Sequence, residues 1–131
     1  MNTKQKTVLV TGATGFVGAF LVDELAVCDI NVVAGIRRKT ALVFPDRVEK
    51  VRIGDLSLNS DFEKCLESVD VIIHLAARVH IMMDSVIDSL TEYRKINTVA
   101  TLSLARQAAE SGVKRFIFLS SIKVNGEETN S

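Results

Sequence analysis

The sequence has no excess of charge of either sign and no long apolar run. Its 131 residues carry 16 Lys and Arg against 16 Asp and Glu, which gives a formal net charge of zero. This balance argues against a protein that binds nucleic acid through overall positive charge, although it leaves a local basic patch open, and we expect no nucleic-acid partner. Because no apolar run approaches the roughly 20 residues that cross a bilayer, we also expect no membrane partner.

Cysteine and histidine are scarce. Cys28 and Cys65 lie far apart in two apolar-periodic segments, where free buried thiols are expected rather than a disulfide. The only histidines, His74 and His80, lack the i, i+4 spacing of a helical zinc pair. The sequence therefore predicts neither a disulfide nor a metal site.

The chain also lacks the features of a secretory signal peptide. Residues 1–6 lead directly into an apolar strand, without an apolar core segment or a small-residue cleavage site. We therefore expect a cytoplasmic protein. The 47% apolar and 24% charged composition is typical of a globular chain, and the length suits one domain.

Apolar runs of strand length alternate with segments of helical periodicity. The predicted strands span residues 6–11, 30–36, 48–53, 69–75 and 115–120, and the predicted helices span residues 16–27, about 60–67 and about 84–111. In the first helix the periodic apolar face consists of Phe16, Val17, Phe20, Leu21 and Leu25. This alternation predicts an α/β fold: a doubly wound parallel sheet of five or more strands with helices on both faces. Ligands of such sheets bind at the carboxyl ends of the strands.

Three glycines follow the first strand at three-residue intervals, in the segment TGATGFVG at residues 11–18. Gly12 permits a tight turn, Gly15 lets a pyrophosphate approach the backbone, and Gly18 lets the helix pack closely on the strand. The helix N-terminus then offers unpaired N–H groups and partial positive charge to phosphates. The pattern predicts a dinucleotide site of the Rossmann-like type, which also involves Thr14, Phe16 and Val17.

These motifs resemble those of the extended short-chain dehydrogenase/reductase family, and of its NAD(P)-dependent nucleotide-sugar epimerases and dehydratases in particular. The glycine spacing is the form found in that family, and further matches occur in the family's order: GDL at 54–56, HLAA at 74–77, Asn97, and SS at 120–121 before VNG at 124–126. The resemblance implies cofactor contacts by Asp55, Leu56, Leu75, Ala76, Ala77 and Asn97. The SSIKVNGEET wording most resembles bacterial surface-polysaccharide enzymes that act on UDP-sugars.

Some of these residues also have a local explanation. Asp55 could end a strand as a turn residue instead of accepting a hydrogen bond from the adenine amino group. Asn97 could hold strand-end carbonyls across the sheet. We expect His74 to be a packed, hydrogen-bonded core residue rather than a catalyst.

The residues after the second strand bear on the choice of cofactor. An NAD site usually has an acidic residue at this corner to bind the ribose 2′-hydroxyl. Here Arg37 and Arg38 follow Ile36, and such a pair suits the 2′-phosphate of NADP through bidentate contacts. The sequence therefore favours NADP over NAD, although an exposed basic turn without any cofactor role remains an alternative.

The family's catalytic residues are only partly present. Ser121 matches the family's serine, but the family's YxxxK pair has no counterpart, since the only tyrosine, Tyr93, precedes Asn97 by four residues. Asn125 stands where the family has tyrosine, which puts sugar specificity in doubt. We therefore expect the chain to be the N-terminal cofactor-binding portion of a longer enzyme and to be inactive alone.

In that longer enzyme, the resemblance implies that tyrosinate takes a proton from a sugar hydroxyl while nicotinamide takes hydride, with Ser121 bonded to the sugar oxygen. Epimerases, 4,6-dehydratases and 4-ketoreductases share these parts, and the sequence does not decide among the three reactions. It also leaves open whether the protein forms a homodimer. The alternative from another class is a redox sensor or scaffold that binds dinucleotide without turnover.

Overall fold

A computed structural model of the protein describes residues 5–37, 42–53, 61–75 and 86–119. The strands are β1 (Thr7–Thr11), β2 (Asn31–Ile36), β3 (Glu49–Arg52), β4 (Val71–His74) and β5 (Arg115–Phe118). The helices are α1 (Phe16–Ala26), α2 (Glu63–Leu66) and α3 (Val86–Glu110). Each lies within the segment predicted from the sequence and ends up to three residues short of it at either end.

The five strands form one sheet in the order β3-β2-β1-β4-β5, and every neighbouring pair is parallel. The next two strands in sequence, β2 and β3, lie on one side of β1, and β4 and β5 lie on its other side. This reversal confirms the predicted doubly wound architecture and places the topological switch point between β1 and β4.

Helices cover both faces of the sheet, as predicted. On one face Val8 and Val10 of β1 pack with Val22 and Ala26 of α1. On the other face Leu9, between them in sequence, packs with Leu66 of α2 and with residues of α3. Successive side chains of a strand point to opposite faces, so β1 is buried on both sides.

The face of α1 that contacts the sheet differs from the predicted one. The buried residues are Gly18, Val22 and Ala26, whereas Phe16 and Phe20 are 95% and 67% exposed and Val17 is also exposed. Leu21 and Leu25 are partly buried against the same core. The prediction that Phe16, Val17 and Phe20 belong to the face on the sheet was wrong, because small residues, not large ones, allow this helix to approach the sheet.

Both cysteines are free thiols, but the expectation of burial is wrong for Cys28, which is exposed. Cys65 is partly buried and its thiol donates to the Phe62 carbonyl oxygen over 3.2 Å. Burial raises the pKa of Cys65 to about 11, so this thiol stays protonated and unreactive at neutral pH. In the four described segments, no helix has both the length and the apolar character that a membrane span requires.

Candidate dinucleotide-binding site

The candidate site lies where β1 and β4 end side by side. Thr11, the last residue of β1, pairs with His74, the last residue of β4. The Leu75 N–H donates to the Thr11 carbonyl oxygen over 3.3 Å and lies 3.0 Å from the Thr11 hydroxyl oxygen. The glycine turn comes directly after β1, and therefore opens at the switch point of the sheet.

The turn after β1 is shaped by its backbone. Gly12 has a φ of +69°, in the left-handed region that glycine adopts without strain. Its carbonyl oxygen accepts a hydrogen bond from the Gly15 N–H over 3.1 Å, and the next residue, Ala13, donates to the Gly35 carbonyl oxygen over 3.4 Å. These bonds tie the turn to itself and to the neighbouring strand β2.

Gly18 lies against this turn. A Cβ atom at Gly18 would be 2.0 Å from the Gly12 carbonyl oxygen and 2.8 Å from its carbon. The close approach predicted for Gly18 is therefore present, but its partner is the turn after the strand and not the strand itself. A Cβ at Gly15 would be 3.3 Å from the same oxygen, which is closer than ordinary van der Waals contact but far less close than at Gly18.

The N-terminus of α1 faces outward from the turn. Gly15 is the N-cap residue and has no side chain to cap the first turn, which contains no acidic residue. Thr14, Gly15, Phe16 and Val17 are all exposed. The partial positive charge of this 11-residue helix is thus open to an anion, and backbone N–H groups can bind phosphate oxygens there.

His74 is buried beside the turn and hydrogen-bonded, as predicted. The side chain is 1% exposed. Its Nδ1 lies 2.7 Å from the Thr11 hydroxyl oxygen and its Nε2 lies 3.1 Å from the Thr101 hydroxyl oxygen on α3. Burial lowers the pKa of His74 from 6.5 to about 4, so the ring is neutral at physiological pH. Sequence reasoning missed both threonine partners, since no pattern reveals which residue of α3 faces β4.

The corner after β2 exposes a basic side chain. Arg37 follows Ile36, the last residue of β2, and is exposed. The Ile36 carbonyl oxygen accepts a hydrogen bond from the Ile53 N–H over 2.8 Å. Ile53, the last described residue after β3, therefore lies at the same edge of the sheet as Arg37.

Several predicted site residues lie outside the described residues: Arg38, Asp55, Leu56, Ala76, Ala77 and Ser121. Asn97 lies in α3, and its side chain is outside the described part. Of the predicted residues, the structure brings Gly12, Gly15 and Gly18 together at one turn, and it places Leu75 against Thr11, the residue directly before that turn.

Comparison with known proteins gives a family match over nearly the whole chain. Residues 8–131 match the NAD dependent epimerase/dehydratase family. The UDP-glucose 4-epimerase of Vibrio cholerae is 47% identical over 124 residues, which are 95% of this chain and 37% of that protein. A 3-beta-hydroxysteroid dehydrogenase of Mycolicibacterium neoaurum is 30% identical over 141 aligned positions, which cover 98% of this chain and 38% of that protein.

Solved structures of the same type superpose on this fold. MoeE5 in complex with UDP-glucuronic acid and NAD is 36% identical with a TM-score of 0.74, covering 94% of this chain and 39% of that one. UDP-N-acetylglucosamine 4-epimerase from Methanobrevibacter ruminantium, in complex with UDP-N-acetylmuramic acid, is 27% identical with a TM-score of 0.72, covering 98% of this chain and 42% of that one. The chain spans 37% and 38% of the two curated relatives' lengths.

Proposed function

The chain belongs to the NAD-dependent epimerase/dehydratase family, and we propose that residues 1–131 form the dinucleotide-binding domain of a longer nucleotide-sugar enzyme. That enzyme would transfer hydride at a sugar carbon as an epimerase, a dehydratase or a 4-ketoreductase. The observation that carries the proposal is the glycine turn, which opens at the switch point and ends at the uncapped N-terminus of α1.

The pyrophosphate would lie on this turn. Gly15 would permit its close approach, and N–H groups of the first turn of α1, at Phe16 and Val17, would donate to the phosphate oxygens. Gly12 and Gly18 would act indirectly, because they fix the turn against the helix. Thr14, exposed in the turn, would add a hydroxyl donor.

The remaining cofactor contacts are proposed from the sequence. Leu75 lies at the end of β4 beside Thr11, where a nicotinamide ribose would pass. Asp55 and Leu56 would contact the adenine, Ala76 and Ala77 the ribose, and Asn97 would support the strand ends. Acceptance of hydride is the chemistry that the nicotinamide supplies when it is bound.

We further propose that NADP is preferred to NAD. The exposed side chain of Arg37 at the end of β2 supports this preference, together with Arg38 beside it in sequence. The NAD named with MoeE5 supports the other cofactor. Direct titration with both dinucleotides decides between them.

The proposed substrate is a UDP-sugar. The relatives include the UDP-glucose 4-epimerase of Vibrio cholerae and a bifunctional UDP-glucose and UDP-xylose 4-epimerase of Arabidopsis thaliana, and these enzymes support this class together with the UDP-sugars in the MoeE5 structures. Ser121 would bond to the reacting sugar oxygen, and the proton-transferring tyrosine and lysine would lie outside these residues. The present chain would therefore bind dinucleotide without turnover. A role in bacterial surface-polysaccharide synthesis is proposed on the wording of residues 120–129.

Isothermal titration of the chain with NADP and with NAD tests the binding proposal. We expect saturable binding of both and loss of binding in Gly15→Val, because the added side chain keeps the pyrophosphate from the backbone. Val27→Ala, at the exposed far end of α1, is the control and should bind as the unmodified chain does. Full affinity in the Gly15 variant would contradict the proposal that the glycine turn binds the pyrophosphate.

A further inference from the structure

His74 connects four elements at the edge of the crevice between β1 and β4. Its ring contacts Thr11 at the end of β1 and Thr101 on α3. Its carbonyl oxygen accepts a hydrogen bond from the Leu119 N–H, just after β5, over 3.4 Å. A single residue of β4 therefore touches the ends of both neighbouring strands and the long helix behind them.

The two ring distances indicate which nitrogen carries the proton. Hydroxyl donors make shorter hydrogen bonds than N–H donors, with typical distances of about 2.7–2.8 Å and about 2.9–3.0 Å. The 2.7 Å separation of Nδ1 from the Thr11 oxygen suits a hydroxyl that donates, and the 3.1 Å separation of Nε2 from the Thr101 oxygen suits a ring N–H that donates. Since the Thr11 oxygen also accepts from the Leu75 N–H, its own proton can go to Nδ1.

The surroundings of the ring favour one fixed orientation. Ring centroids of Phe116 and Phe118 on β5 lie 5.8 Å and 5.9 Å from the centroid of His74. The side chains that the structure places against the ring carry no charge: Thr11, Thr101, Phe116 and Phe118. A ring turned over by 180° would place Cδ2 and Cε1 where Nδ1 and Nε2 now lie, and would lose the hydrogen bonds to both threonines.

We propose that His74 is a positioning residue, held as the Nε2–H tautomer, that fixes the ends of β1 and β4 against α3 and so sets the shape of the dinucleotide crevice. Thr11 is followed directly by Gly12, so a displacement of Thr11 would also move the glycine turn. His74 itself touches no cofactor in this proposal. The consequence for cofactor affinity rests on the proposed dinucleotide function, whereas the tautomer and the fixed strand ends do not.

The tautomer is tested by nitrogen-15 NMR of the chain labelled at histidine. His80 is the only other histidine, so a His80→Gln variant leaves one pair of ring signals. We expect Nε2 to carry the proton and Nδ1 to be unprotonated throughout the range from neutral pH to about pH 5. A proton on Nδ1, or a mixture of the two tautomers, would overturn the proposal.

The positioning role is tested with variants that remove the ring bonds. His74→Phe keeps an aromatic ring but loses both bonds, and Thr101→Val loses only the bond to α3 and serves if the first variant does not fold. Ser103→Ala is the matched control, because Ser103 is a buried hydroxyl on α3 that accepts from the amide of Gln107, four residues further along the same helix. All three lose buried hydrogen bonds, but only the first two disturb the crevice.

We expect the amides of Leu75 and Leu119 to exchange with solvent at least about fivefold faster in the first two variants and unchanged in Ser103→Ala, since one hydrogen bond corresponds to a factor of about five. NAD affinity should fall by a similar factor in the same two variants only. Equal effects in all three variants, or none, would reduce His74 to an ordinary core residue. If the unmodified chain did not bind NAD, that result would contradict the proposed function. The tautomer and the amide exchange rates would still decide whether His74 fixes the strand ends.

Discussion

The neighbouring strands β1 and β2 end at the same edge of the sheet, but the corners after them are built differently. After β1, the Gly12 carbonyl oxygen accepts from Gly15 and lies where Gly18 has no room for a Cβ. After β2, the described residue at the corner is Arg37, whose basic side chain is exposed. The first corner is defined by backbone atoms in contact, the second by the identity of one side chain.

This difference separates two kinds of recognition. A backbone turn at a helix N-terminus suits the pyrophosphate, which every dinucleotide has, whereas a side chain at the β2 corner meets the ribose, where NAD and NADP differ. Changes at the first corner should therefore affect the fold and both cofactors. Changes at the second should affect the choice between cofactors and leave the fold intact.

The largest effect is expected for Gly18→Ala. The new methyl group would lie 2.0 Å from the Gly12 carbonyl oxygen, so α1 or the turn must move. We expect the free energy of unfolding to fall by about 3 kcal/mol or more, measured by urea denaturation. Gly15→Ala is the matched variant, because its methyl group would lie 3.3 Å from the same oxygen, and it should cost less than about 1 kcal/mol. Equal losses in the two variants would contradict the packing of Gly18 on the turn.

The β1 corner should also make stability depend on pH. The folded-state pKa of His74 is lowered to about 4, against 6.5 for the unfolded residue. Between these values the unfolded chain binds the extra proton, so stability is present above pH 6.5 and is lost as pH falls toward 4. The loss should approach about 3 kcal/mol.

Urea denaturation of the chain and of His74→Phe across this pH range isolates the histidine from the carboxyl groups. The variant lacks the titrating ring, so its stability should fall less steeply between pH 6.5 and 4. Parallel pH profiles would show that His74 is protonated as easily in the folded chain as in the unfolded one.

At the β2 corner, the double variant Arg37→Ala, Arg38→Ala should weaken NADP binding by at least about tenfold more than NAD binding, because charge-assisted bonds to phosphate contribute about 1.5–3 kcal/mol each. Its thermal unfolding should change much less than that of Gly18→Ala, because Arg37 is exposed. Arg106→Ala, an exposed arginine near the far end of α3, is the control for general loss of positive charge. If NADP binding and NAD binding were weakened equally, the β2 corner would have no role in the choice of cofactor.

The two corners also differ in how well the sequence predicts them. The turn after β1 leaves a readable pattern, because close backbone contacts require glycine at fixed spacing, and Gly12 and Gly18 meet those requirements. The sheet also leaves a readable pattern, because its buried strands require apolar runs and the helices between them require an apolar periodicity. At the β2 corner the arginines could be identified, but an exposed side chain carries no packing constraint that reveals its partner.

The network around His74 could be predicted only in part. Burial of the histidine was expected from its position in an apolar strand, but its partners depend on the register of β1 against β4 and on the rotation of α3. Helix rotation was also the reason for the error in α1. Its sequence has two apolar rows, and periodicity alone favoured the one with the large residues, whereas the small residues Gly18, Val22 and Ala26 allow close approach.

The smallest effect is expected for Phe20→Gln, which tests that rotation. Phe20 is 67% exposed, so the change should alter the free energy of unfolding by less than about 0.5 kcal/mol. Val22→Ala, two residues away and fully buried, should cost about 2 kcal/mol through lost burial and a cavity. If urea denaturation showed the reverse order, α1 would present the Phe20 row to the sheet. Gly18 would then no longer face the Gly12 carbonyl, and the β1 corner would lose the backbone contact that distinguishes it from the β2 corner.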